Sequence, residues 1–175
     1  MRNAFHNPVA ESKSKSFTRS DGNDTKSLLD FFKIDIMRLP DDRFIEGVAQ
    51  FNSLGDSIKH YHADLEYPEF DIFDTVRIIR FQDGIKNIFF KYYNLSKLKV
   101  EKLKKLIDSL YLLYGEDDGH KGKFSENDLK DYNSESSDEL FGRRWIRKNQ
   151  KYPVAVEINK LANVITLSIW GIGGK

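Results

Sequence analysis

The chain has 175 residues, a formal net charge of +1, 39% hydrophobic and 31% charged residues, and no cysteine. This length suits one domain with a proper core and is short for two. The missing thiols exclude disulfides, thiolate nucleophiles and cysteine-based zinc or iron–sulfur sites. The near-neutral balance makes any affinity for nucleic acid or anionic membrane depend on a local patch.

No apolar run has the length of a signal h-region or a transmembrane span, so the expectation is a soluble cytoplasmic protein with no membrane partner. Residues Met1–Asn23 are rich in Ser, Asn, Lys and Arg, with Phe5, Val9 and Phe17 scattered among them. No period fits them, which predicts a disordered or loosely docked arm in front of a single domain over 24–175. Asp24 or Thr25 can cap a short helix through Lys33, with Leu28, Leu29, Phe31 and Phe32 on one broad side. Leu39-Pro40 breaks the chain. Phe44, Val48 and Phe51 then repeat at i, i+4, i+7, which predicts a second helix from Arg43 to about Leu54, closed by Gly55. Gly47 inside it leaves a strand over Arg43–Phe51 as the alternative.

Ile58–Tyr67 alternates. Tyr61, Ala63, Leu65 and Tyr67 share one face and His60, His62, Asp64 and Glu66 the other, which predicts a half-buried strand stopped by Pro68. Glu69–Asp74 is a connection whose Phe70, Ile72 and Phe73 tuck against the core. Asp83-Gly84 between apolar, β-rich runs predicts a hairpin of Thr75–Phe81 with Ile85–Tyr93. Both faces of this hairpin are apolar, so both require a cover. A helix follows over Lys97–Tyr114, capped by Asn94 or Ser96 and closed by Gly115. Its stripe of Val100, Leu103, Ile107, Leu110 and Tyr114 opposes Lys97, Glu101, Lys104, Lys105 and Asp108.

Residues 116–140 form a polar, acidic excursion in which Ser125 and Asp128 have capping-box spacing. Arg143–Arg147 reads as a short strand. Pro153–Ile158 and Val164–Trp170 form a second hairpin around Asn159–Asn163, and Gly171–Lys175 reads as a flexible end. The expected architecture is α+β: an antiparallel sheet of two hairpins plus an extra strand. One long amphipathic helix covers one face, with one or two short N-terminal helices beside it.

Three constellations carry chemistry. His60, His62 and Asp64 on one strand face have the side chains of a metal site, and a metal-dependent hydrolase would use them with a third ligand from elsewhere. A solvated edge face accounts for the same residues. Arg143, Arg144, Arg147 and Lys148 around Trp145 have the mixture that grips phosphates and stacks on bases, which gives a nucleic-acid reading of 143–152. Neutralising the acidic excursion is the competing reading. Asp117, Asp118, Asp138 and Glu139, with Tyr92 and Tyr93 from the hairpin, form an acidic and aromatic surface suited to another protein.

No catalytic constellation outweighs these readings, and no cofactor motif is present; Gly171-x-Gly-Gly-Lys175 lacks the spacing of a phosphate loop. The leading expectation is a small protein–protein interaction protein, of inhibitor, immunity or chaperone-adaptor type rather than an enzyme. It would use a sheet face and the acidic loop, and a second copy on the uncovered face is one candidate cover. Nucleic-acid binding and metal-dependent hydrolysis are the alternatives.

Overall fold

The computed structural model describes residues 31–134, 141–146 and 152–173. The arm over 1–23 and the predicted helix up to residue 30 lie outside these. Eight strands form one antiparallel sheet: β1 Ile45–Glu46, β2 Gln50–Phe51, β3 Ser57–Glu69, β4 Phe73–Arg80, β5 Lys86–Tyr92, β6 Phe141–Trp145, β7 Val154–Asn159 and β8 Val164–Ile172. Two α-helices, α1 Val100–Tyr114 and α2 Glu126–Asn133, lie in the chain between β5 and β6. The spatial order is β1-β3-β4-β5-β8-β7-β6, with β2 also on β3. Two meanders, β3–β4–β5 and β6–β7–β8, are therefore joined where β5 pairs with β8. The α+β class and antiparallel sheet expected from the pattern are present.

The β4–β5 turn forms where Asp-Gly predicts it. Gly84 N–H bonds to Phe81 O at 3.0 Å, and Gly84 takes φ +85°, a conformation a side chain would oppose. Register then sorts the side chains. Val76 faces Phe90, Ile78 faces Ile88, Leu167 faces both Phe90 and Val156, and Val154 faces Trp145. All are buried, and they form the core with Leu103, Leu106, Ile107 and Leu110 of α1. At about 1.5–3 kcal/mol each, those four leucine and isoleucine side chains make α1 a principal source of stability. On the opposite face Thr75, Arg77, Ile79, Asn87, Phe89, Thr166 and Trp170 are half-buried or exposed, and only the small Ala155 and Ser168 are buried. Among the described residues no helix belongs to this second face.

Several boundaries depart from expectation for identifiable reasons. The segment predicted as a helix over 43–54 is instead β1 and β2, two short strands in line along β3 with residues 47–49 between them, the strand alternative that Gly47 kept open. Phe44, Val48 and Phe51 do not share a buried face; Val48 and Phe51 are exposed. Pro68 does not end β3, which runs to Glu69. It lies where no described strand pairs with the outer side of β3, so its missing N–H costs no ladder bond. Neither Asn94 nor Ser96 caps α1. A 3₁₀ turn over Leu95–Lys97 comes first, burying Leu95, with Leu98 buried just after it, and α1 starts after Lys99. The predicted flexible end is part of β8 as far as Ile172, which is fully buried opposite Lys86. Residues 31–39 are held by Glu69, whose buried carboxylate accepts the N–H groups of Lys33 at 3.0 Å and Ile34 at 3.2 Å.

Strand β6 approaches β7 so closely at Gly142 that a Cβ there would lie 2.3 Å from Val156 O. Gly142→Ala is expected to lower stability by roughly 1–3 kcal/mol in urea denaturation. An unchanged midpoint would mean that the two strands are not held at this distance.

Candidate interaction surface

The acidic excursion carries four of the candidate contacts, Asp117, Asp118, Asp138 and Glu139. Alternation along β6 sends Arg143 and Trp145 to the same face as Val154 and Val156, which is the core face. Arg143 is fully buried. Its guanidinium donates to Asp128 Oδ2 at 2.7 Å, Gly122 O at 3.1 Å and Gly142 O at 3.2 Å, with Asp117 Oδ2 3.5 Å from Nε. A buried cation is tolerated only when paired and hydrogen-bonded. The carboxylates are satisfied as well. Asp117 accepts the N–H groups of Gly119, Lys121 and Gly122, and Asp128 forms the predicted capping box with Ser125. Trp145, also buried, donates its indole N–H to Gly115 O at 3.0 Å.

Asp118 closes the outer side of β6. Its N–H donates to Arg144 O at 2.7 Å and its carboxylate accepts Ile146 N–H at 2.8 Å. Residues 116–134 are thus a clamp on the sheet edge. Asp117 is buried within it, contrary to its reading as a surface contact. Asp138 and Glu139 lie outside the described residues. Tyr92 packs against the core, whereas Tyr93 is exposed beside Lys91, whose Nζ lies 5.7 Å from the ring centroid.

The nucleic-acid reading meets the same geometry. Arg143 and Trp145 are buried, and the exposed Arg144 is paired with Glu157 at 2.5 Å. Arg147 and Lys148 lie outside the described residues. For the metal reading, His60 and His62 do share the second sheet face with Asp64, as alternation predicts. However, His60 is engaged on both nitrogens: Arg77 donates to Nδ1 at 3.1 Å, which leaves Nε2 to donate to Gln50 Oε1 at 3.0 Å. Burial, then the adjacent Arg77 charge, hold the His60 imidazole below its ordinary range. Among the described residues no three His, Cys, Asp or Glu side chains converge on a metal position, and no helix is long and apolar enough to cross a membrane.

The two borders of the sheet differ. The β6 border is occupied by Asp118. At the other border, β1 and β2 cover β3 only from Ser57 to His62. Beyond His62 no described strand pairs with the outer side of β3, and Asp64, Glu66 and Tyr67 are exposed. Ile45, exposed opposite His62, adjoins this stretch, whereas Val48, Phe51 and Leu54, also exposed, lie further along toward the Ser57 end of β3, with Val48 at 89% and Leu54 at 84%. Sequence reasoning missed these four because the spacing of Val48 and Phe51 imitates a buried helix stripe. Gly47 was the signal that the segment is extended instead, and Gly55, at φ +83°, closes the turn after β2.

No protein-family model, curated protein or solved structure matches the chain.

Two outcomes test these assignments. Arg143→Met should cost about 3–5 kcal/mol in urea denaturation, because it strands Asp117 and Asp128 in the interior; Arg143→Lys should recover only part, lacking the planar fork. A near-neutral Arg143→Met would refute the clamp. The His60 ring, followed by NMR, should titrate below the ordinary imidazole value of about 6.5. Its folded value being the lower one, His60 supports stability above that pH and the contribution fades as pH falls through the window beneath it. Arg77→Gln should raise the midpoint, and no movement would show that Arg77 does not govern the ring.

Proposed function

We propose that this protein is a protein-binding module that receives an extended, basic segment of a partner along the open border of β3, with the exposed Ile45 of β1 as the flanking contact. One observation carries the reading: one sheet border is closed by the 116–134 clamp, while at the other no described strand pairs with β3 beyond His62 and Ile45 beside it is exposed. Unpaired strand edges are templates for added strands, and folded proteins commonly blunt them. Here one border is covered by the clamp, while the other carries only an irregularity between Asp64 and Glu69, Pro68 and two acids.

Charge selects the partner. The open stretch Ala63–Pro68 carries Asp64 and Glu66 and no basic residue, so Lys or Arg at alternate positions of an added strand would meet acids across the new pair. A second copy fits poorly: antiparallel pairing of the stretch with itself about Leu65 sets Asp64 opposite Glu66 twice, and like charges directly opposite are destabilising. An inhibitor, immunity protein or adaptor could work through such an edge.

Two synthetic probes test the reading: a hexapeptide alternating Lys and Val, and its Asp–Val counterpart. The Lys–Val peptide should shift the amide resonances of Ala63–Tyr67 saturably, more weakly as salt rises. It should lose this effect in the double variant Asp64→Lys/Glu66→Lys. The reading fails if those amides do not move, if both peptides act alike, or if the chain dimerises through this border.

A further inference from the structure

The sheet aligns three cations in one row. Register places Lys59 of β3 opposite Arg80 of β4, and Arg80 opposite Lys86 of β5, so all three side chains leave the same face at neighbouring positions. Like charges directly across strands repel, and exposed strand positions accept many uncharged polar residues in their place. The two outer members are compensated. Lys59 Nζ lies 2.9 Å from Glu46 Oε1. Lys86 is buried and donates to Met37 O at 2.8 Å and Leu39 O at 2.6 Å. Burial, and after it the charge of Arg80, hold the Lys86 amine below its ordinary range, with Asp35 opposing. Arg80, in the middle, is exposed and has no hydrogen-bond acceptor or ion-pair partner among the described residues.

Arg80 also lines a cleft of about 350 Å³ with Ser57, Lys59, Tyr61, Phe81 and Gln82. Ser57 and Gln82 bring hydroxyl and amide donors to it, and a guanidinium suits two oxygens of one anion. Across Phe81 and Gln82 lies a second cleft of about 580 Å³, lined also by Asn52, Asp56, Asp83 and Ile85. Its two carboxylates repel an anion, so a charged head is directed to the Arg80 side and an uncharged or cationic body to the other.

The geometry points to a binding site for the phosphoryl head of a small soluble phosphate ester, with Arg80 as its principal ligand and Ser57, Lys59 and Gln82 around it. A tetrahedral head offers oxygens to donors arriving from several strands at once, which a planar carboxylate does less fully. The site stands independently of the proposed β3 docking border.

The test is an NMR titration of the intact protein with inorganic phosphate at constant ionic strength. Saturable shifts are expected at the amides of Ser57, Lys59, Arg80 and Gln82. Arg80→Gln should weaken phosphate binding about tenfold or more, while Arg77→Gln, on the opposite face, should leave it unchanged. Acetate at equal ionic strength should bind less. Glycerol 3-phosphate should bind at the same amides, and vesicles of phosphatidic acid in phosphatidylcholine should not retain the protein on flotation. The proposal is overturned by non-saturable shifts, by full binding in Arg80→Gln, by equal binding of acetate, or by retention on vesicles without binding of the soluble ester.

Discussion

Arg143 has no exposed side-chain surface, and the organisation of the C-terminal half follows from that. A guanidinium taken out of water must recover its lost hydration from fixed partners. Two carboxylates and two carbonyls do so, and all but the Gly142 carbonyl come from the stretch between α1 and α2 or from α2 itself. The excursion therefore has to fold onto β6 for the core to close. Its acids serve that end: Asp117 gathers three backbone N–H groups of its own loop and Asp128 caps α2 while holding the arginine, and from α1 Asp108 accepts Phe124 N–H.

The same clamp gives the sheet its asymmetry. Once residues 116–118 lie against β6, that border has backbone partners through Asp118. The far border has only the two short strands β1 and β2, so the outer side of β3 beyond His62 is left without a described strand. The second sheet face is polar enough to tolerate water through Arg77, Thr75, Asn87 and Thr166, yet it retains Ile79, Phe89 and Trp170. A helix with one apolar stripe can cover only one face, and α1 covers the face with Val76, Ile78, Ile88 and Phe90. The open border and the row of cations both lie toward the β3 side, away from the clamp.

Local pattern made much of the fold legible. The Asp83-Gly84 turn, the alternation of His60–Tyr67, the second hairpin and the Ser125–Asp128 capping box are short-range features, each decided by residues within about one turn or strand of one another. The candidate sites were less legible. Arg143 and Asp117 carry charge, and charge predicts exposure; only the meeting of β6 with the 116–128 segment turns both inward. Val48 and Phe51 show the converse error, apolar residues at helical spacing that the structure leaves exposed.

The sequence alone settled the element types of the central hairpins and α1, and the period-two face shared by His60, His62 and Asp64, because backbone geometry and hydrophobic period act locally. Tertiary structure decided which face of β6 is the interior, which border of the sheet is closed, and that Lys59, Arg80 and Lys86 stand in one row. Each depends on register between strands distant in the chain, where a slip of one residue reverses the face of every side chain, and no local pattern encodes that alignment.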